Sequence, residues 1–365
     1  MEAVLTCMVD EQLGPGEMAQ RLIQTVKEMT GCDGGVALRS PSLALEYALA
    51  ALALPKESTV MISALAPAWQ LLTLEKLGYK PLVLDVCEEN GLIAPAAAEE
   101  GVKAGGRLLV LSETMGVLPD IQQFLALGIP IIEDVSHSAL SFYPPEEGSA
   151  AEQPVSAAPS APAADASSQG EDGAAAADVP HGKRAGMYGV YTIFGMEDRD
   201  IVTSGGGAVL FAPSRREWIV LKKLADEAPS TDLMPDMNAS LALVELKEFS
   251  RNERSRRDLF SLYSRAIMAG RHKTFVRAGD DGSTVYSFPL VLNSGFKDVK
   301  AYALRKGVEV RQAYENSVIA FRQEQLASSC ICANSLLLRC ALFPLYPRLG
   351  QKDAARIVKV LSSLP

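Results

Sequence analysis

Three short stretches carry the residues whose types and spacing can do chemistry. In PIIEDVSH, Pro130 to His137, a carboxylate, Asp134, stands just past an apolar run and a histidine follows three residues later. A carboxylate at a strand end either caps the next helix or, when buried, holds a heteroaromatic nitrogen protonated. His137 lies within reach of the same ring, as an acid or base or simply as a satisfied polar side chain. In LRSPSLALEYALAAL, Leu38 to Leu52, Ser40 and Ser42 flank Pro41 at the start of a helical pattern. Hydroxyls and free N–H groups at such a start can hold a phosphate. An ordinary N-cap with proline at an early helical position is the structural alternative. The third stretch, YTIFGMEDRDIVTSGGGAVL, Tyr191 to Leu210, reads as strand, charged turn, glycine run and second strand, with Thr192 near its start.

Elements that alternate in type must position these residues. Strands are predicted at Val36–Leu38, Thr59–Ala64, Pro81–Val86, Arg107–Ser112, Ile129–Glu133, Tyr188–Phe194 and Gly207–Phe211. Most are apolar on both faces, as in strands covered on both sides. Helices are predicted between many of them, at Gly16–Thr30, Ser42–Leu54, Ala68–Leu77, Pro95–Lys103 and Asp120–Leu127. The alternation predicts an α/β fold with a mainly parallel sheet and a ligand site at the strand C-terminal ends. From Glu146 to Val179 the chain has no aromatic, leucine or isoleucine, so it cannot offset its ordering entropy. A disordered insertion at about 146–180 is expected, a passive surface loop rather than a tether for a partner. After Trp218 come a long helical pattern from Met237 to Met268, a strand–helix–strand pattern from Thr284 to Gln312, and a last helix at Asp353–Leu364. The expected division is a large domain over 1–225 and a smaller α+β domain over 226–365.

Composition excludes several classes. The 365 residues are 48% hydrophobic and 22% charged, with a net charge of −9, which suits a globular chain and argues against non-specific nucleic-acid binding. Arg251, Arg254, Arg256 and Arg257 fall within the long helical pattern and read as a solvated face. Six scattered cysteines and three histidines show no zinc spacing. The first residues, with Glu2, Asp10 and Glu11, do not read as a secretory signal, and no apolar run reaches the ~18 residues of a membrane span. A reduced, cytoplasmic protein is expected.

The order of the pieces is shared with one family. The chain resembles the DegT/StrS family of pyridoxal phosphate (PLP)-dependent nucleotide-sugar aminotransferases, of fold type I. ALRSPSLAL is similar to its S-G-T-x-A-L turn, YKPLVLDV to its G-x-x-P-x-F-V-D-V strand and IIEDVSHSAL to its V-I-E-D-x-A-x-A segment. MPDMNASLALVEL, GVEVRQAY and LFPLYPRLGQKDAARIVKVL resemble its later motifs. The resemblance implies a three-layer PLP-transferase-like domain with a mainly parallel seven-stranded sheet, a small α+β C-terminal domain, and a homodimer with a nucleotide-sugar ligand. It implies Asp134 at the pyridine nitrogen, His137 near the ring, and Ser40, Ser42 and Thr192 around the phosphate.

One residue of the pattern is missing. The family motif F-S-F-x-x-x-K-x-x-x-x-G-E-G-G-A-V supplies the lysine of the internal aldimine. Counting from Thr192 puts that position near Glu197, and counting back from the glycines puts it near Arg199. No lysine occurs between Lys183 and Lys222. A guanidinium stays protonated and is a poor nucleophile, so Arg199 is no substitute. Pro41 stands at the turn glycine and removes an N–H, and Pro67 stands where the family has a ring-stacking aromatic, with Trp69 two residues on. Two expectations follow. One is a family member without transaminase chemistry, kept as a binding or regulatory protein. The other is an aminotransferase or dehydratase of surface-polysaccharide or deoxyamino-sugar biosynthesis that uses non-covalent PLP or pyridoxamine phosphate, with His137 as acid or base.

Overall fold

The computed structural model describes residues 2–9, 11, 13–145, 182–268, 270–277 and 282–365. The expected insertion at 146–180 lies outside them. Seven strands, β1 Gly34–Leu38, β2 Thr59–Ser63, β3 Lys80–Leu84, β4 Gly106–Ser112, β5 Ile131–Asp134, β6 Tyr191–Gly195 and β7 Ala208–Ala212, form one sheet in the order β1-β7-β6-β5-β4-β2-β3. From β3 to β6 every pairing is parallel, and β7 runs antiparallel to both of its neighbours. The mainly parallel seven-stranded sheet is therefore present as expected. β6 starts three residues later than the sequence suggests, because the N–H groups of Tyr188 and Gly189 are drawn into a turn by the Glu133 carboxylate.

Helices cover both faces, which explains why these strands carry valine, isoleucine and leucine without polar alternation. On one face Leu45, Leu49, Leu71 and Leu74 pack over Val60, Ile62 and Val110. On the other, Leu22, Val26, Phe124 and Phe249 pack over Met61, Leu109 and Phe211. Helix Asp236–Ile267 spans 32 residues. Its first half, with Ala239, Ala242 and Leu246, completes the large core, and its last turns place Tyr263 and Ile267 in the core of a second, smaller sheet. That sheet is antiparallel, in the order β8-β10-β9, from β8 Phe288–Val291, β9 Arg311–Gln312 and β10 Cys340–Phe343. The sequence analysis missed β10, because its apolar run continues without punctuation from helix Ile331–Arg339. Among the described residues no helix is long and apolar enough to cross a membrane.

The turn between β6 and β7 is built by glycine. Gly205, Gly206 and Gly207 have φ of +73°, +135° and +133°, conformations that side-chain-bearing residues rarely adopt. A Cβ at Gly207 would also lie 2.3 Å from the Met234 Cε. Met196 N–H donates to the Gly207 carbonyl at 2.8 Å, and Asn238 Nδ2 donates to the carbonyls of Ser204 and Gly206 at 2.9 and 3.2 Å. These bonds aim residues 197–200 at the C-terminal edge of the sheet.

Candidate active-site cavity

A cavity of about 780 Å³ opens at that edge, where the ends of β4, β5 and β6 leave a crevice beside the smaller sheet. Asp134, the last residue of β5, lines it and is 3% exposed. Its Oδ2 accepts from Gln70 Nε2 at 2.8 Å, and its Oδ1 accepts from the Ser136 N–H at 3.2 Å and the Ser136 hydroxyl at 2.5 Å. The same Gln70 Nε2 donates to Ser112 Oγ at 2.8 Å. Burial raises the Asp134 carboxyl above its ordinary value, partly offset by these donors. Gln70 is fully buried, and its Oε1 accepts no hydrogen bond among the described residues. Adjacent Glu133 faces the opposite side of the sheet and binds the backbone N–H groups of Gly186, Tyr188 and Gly189.

His137 also lines the cavity. Its ring stacks on Tyr286, with centroids 3.9 Å apart and planes inclined by 14°. Nδ1 accepts from the Met115 N–H at 3.3 Å. The neutral ring therefore carries its proton on Nε2, which faces Asp200 Oδ1 at 3.8 Å. Burial lowers His137 to about 4. Asp200 is pushed up to about 8 by burial first and then by Asp134, Glu197 and Asp198. Glu113, which lines the same cavity, accepts from Ser138 Oγ and from Tyr143 Oη, and burial with Glu133 nearby raises it to about 8.

The residues at the expected lysine position stand at this wall. Glu197, Asp198, Arg199 and Asp200 all line the cavity. The Glu197 N–H donates to Asp200 Oδ2 at 2.7 Å, and Arg199 Nη1 donates to Glu315 Oε1 at 2.6 Å. No lysine is among the described lining residues.

Among the described residues, none of the three expected around a phosphate lines the cavity. Ser40 is the N-cap of helix Pro41–Leu52: its Oγ accepts from the Leu43 N–H at 3.2 Å and lies 2.9 Å from Ser42 Oγ. Pro41 reaches the cavity wall, whereas Ser40 and Ser42 do not line it. Thr192 is fully buried and donates to the Gly186 carbonyl at 2.6 Å, so it faces the turn before β6 instead of the cavity. Pro67 and Trp69 both line the cavity. Sequence reasoning missed Gln70, Asp200, Glu113 and Tyr286. Asp200 had a signal, as the last acid of the EDRD run; Gln70 is one polar residue in an ordinary helix, and Tyr286 comes from a remote segment with no local motif.

Solved structures of similar fold carry the same arrangement of sheet and helices. A putative sugar aminotransferase from Streptococcus pneumoniae, Spr1654 in its PLP form, superposes with a TM-score of 0.80 at 14% identity, covering 99% of this chain and 95% of that one. DesV of S. venezuelae, in complex with a ketimine intermediate, gives 0.81 at 15%, covering 99% and 92%. A mutant of the GDP-4-keto-6-deoxymannose-3-dehydratase ColD with bound GDP-perosamine gives 0.78 at 12%, covering 99% and 96%. At these identities the likeness establishes the fold. The family model for DegT/DnrJ/EryC1/StrS aminotransferases matches residues 1–149 and 171–362, on both sides of the segment expected as an insertion. With nearly the whole chain matched and the same seven-stranded sheet beneath a cavity at its C-terminal edge, the chain belongs to the DegT/DnrJ/EryC1/StrS aminotransferase family.

Proposed function

We propose that this family member lacks transaminase chemistry and serves as a binding or regulatory protein. The observation that carries this reading is the acidic turn Glu197–Asp200, which stands in the cavity wall where the sequence motif calls for an amine nucleophile. A carboxylate or a guanidinium cannot form an imine with an aldehyde.

The residues present fit the family's PLP in part. Asp134 can accept from a protonated pyridine nitrogen, and His137 stands beside it. The phosphate lacks an evident seat: Pro41 has no N–H, the Ser40 hydroxyl is engaged in its cap, and Thr192 points elsewhere. With no amine and no such seat, the residues do not fit PLP held as an internal aldimine.

The decisive measurement is titration with PLP followed by borohydride reduction and intact-mass analysis. The purified protein should be colourless and its mass unchanged after reduction. A stable yellow protein with a reducible lysine adduct would sink the proposal. A second reading, non-covalent PLP or pyridoxamine phosphate with His137 as acid or base on a nucleotide sugar, is favoured by Asp134 and His137 lining one cavity.

A homodimer in the cytoplasm is part of the proposal. Helix Glu2–Val9 packs on helix Asp236–Ile267, and together they leave Leu5, Met8, Met237 and Leu241 exposed. Apolar side chains gathered on packed helices suit a subunit interface. A monomeric mass by light scattering would remove this part.

A further inference from the structure

We propose that a second cavity, at the start of β1, binds a nucleoside phosphate, with the phosphates among Lys27, Arg215, Lys222 and Lys223 and the base against Trp218. The inference goes beyond the reading of the first cavity and stands whether or not that cavity binds PLP.

Two helices and a strand end set the place. Helix Arg215–Asp226 puts Arg215, Trp218 and Lys222 on one face, because residues three and four apart are neighbours on a helix. Lys27, in the last turn of helix Glu17–Thr30, and Asp33, just before β1, complete the wall. The cavity holds about 500 Å³ and shares no lining residue with the one described above. β1 and β6 both run antiparallel to β7, so the start of β1 lies at the opposite edge of the sheet from the ends of β4, β5 and β6.

Charge is the first support. Four cations line the cavity against two acids, Asp33 and Asp226, in a chain whose net charge is −9. Among the described residues none of these four cations is paired with a carboxylate, although both acids share the wall. Elsewhere on the surface Lys76, Lys80, Arg251 and Arg322 each have a carboxylate partner. Lys27, Arg215, Lys222 and Lys223 are all exposed. Like charges gathered round one concave space raise the local concentration of anions and can donate to a phosphate together.

An independent support is the apolar surface set between the cations. A Cβ on Gly34 would lie 2.4 Å from Trp218 Cε2, so the glycine that opens β1 seats the indole in the wall. The indole N–H bonds no described residue and is not buried, which leaves it open to an acceptor on a ligand. Ile219, in the same wall, is 52% exposed. Inorganic phosphate would leave both side chains wet, whereas a planar base covers them. An aromatic side chain beside cations is the combination that holds a base and its phosphates. The volume is that of a small-ligand pocket, and the acidity of the chain disfavours a nucleic-acid strand as the occupant.

The probe is ADP without a divalent cation, read by tryptophan fluorescence of the full chain. The chain has two tryptophans, so Trp69→Phe makes Trp218 the reporter and removes signal from the first cavity. ADP should quench it with half-saturation below about 1 mM at low salt, about tenfold tighter than adenosine and about threefold tighter than pyrophosphate. Added salt should weaken this binding, because the cations are exposed and screened. The double substitution Lys222→Gln with Lys223→Gln, at two exposed positions, should weaken ADP about tenfold or more. Calorimetry of the parent protein measures the same constant if Trp69→Phe fails to fold. Absence of ADP binding at about 5 mM overturns the inference. An unchanged affinity in the double variant also overturns it, because ADP then sits elsewhere. Pyrophosphate or a glutamate hexapeptide binding as tightly as ADP overturns it as well, the peptide in favour of an acidic protein segment. None of these outcomes bears on the borohydride test of the first cavity, so the two proposals fail separately.

Discussion

Asp236→Ala should lose about 3–5 kcal/mol of stability, read as a fall in the urea midpoint with an unchanged slope. Asp236 is 3% exposed, and its carboxylate binds three backbone N–H groups at the start of helix Glu17–Thr30: Gly16 at 2.8 Å, Met18 at 3.1 Å and Ala19 at 2.9 Å. That helix has no cap from its own chain neighbour, because Gly16 carries no side chain. The first-turn donors are thus satisfied from a residue more than 200 positions away. A Cβ at Gly16 would lie 2.8 Å from Asp236 Oδ2, so the close approach needs the glycine. Alanine leaves three donors without their charged acceptor, at about 1 kcal/mol or more each. Asp236→Asn keeps one oxygen and should lose about 1–2 kcal/mol. A loss below about 1 kcal/mol in the alanine variant would show that water replaces the carboxylate without penalty.

The second large effect is a reversal of the pH profile in Asp200→Asn. In the folded protein His137 is lowered from 6.5 to about 4 and Asp200 raised from 3.8 to about 8, both chiefly by burial. The pair therefore carries one titrating proton from about pH 4 to about pH 8. The unfolded chain also holds one proton below 6.5, on the histidine, and none above it. Proton counts match between 4 and 6.5, so this pair contributes no slope there. Between 6.5 and 8 the folded state holds one proton more, and stability falls as pH rises, by about 1.4 kcal/mol per unit or roughly 2 kcal/mol in all.

Asparagine removes the carboxyl proton and keeps an oxygen for the Glu197 N–H. The histidine alone then remains, neutral when folded and protonated when unfolded below 6.5. The variant's contribution is flat from 6.5 to 8 and is lost as pH falls from 6.5 towards 4, the reverse of the parent. Glu113 titrates in both proteins and cancels in the difference. Unfolding free energies of both proteins at pH 5, 6.5 and 8 test this. Parallel profiles would mean that the two groups do not share a proton in the folded state.

The same two side chains show how far sequence reasoning reaches. The spacing in IIEDVSH singles out Asp134 and His137, because a buried strand that ends in a carboxylate is a local pattern. The unions that define their chemistry, His137 with Tyr286 and Asp200, and Asp134 with Gln70, join segments far apart in the chain, and no period or motif encodes such pairs. A helix start rich in hydroxyls suggests Ser40 and Ser42 as phosphate ligands, and the family resemblance adds Thr192 to them. In the structure Ser40 caps a helix with the Ser42 hydroxyl beside it, while Thr192 faces the turn before β6, because successive strand residues face opposite sides.

The sequence by itself determined the strand and helix alternation, the family motifs and the lack of a lysine from 184 to 221, all of which are local or countable. Only the tertiary structure decided that β7 enters the sheet antiparallel between β1 and β6 and that the acidic turn after β6 faces the cavity. It also decided that Asp200 meets His137 there, with no lysine or arginine paired to it among the described residues. The physical reason is that side-chain direction and protonation depend on which remote groups exclude water, and only the packed chain brings those groups together.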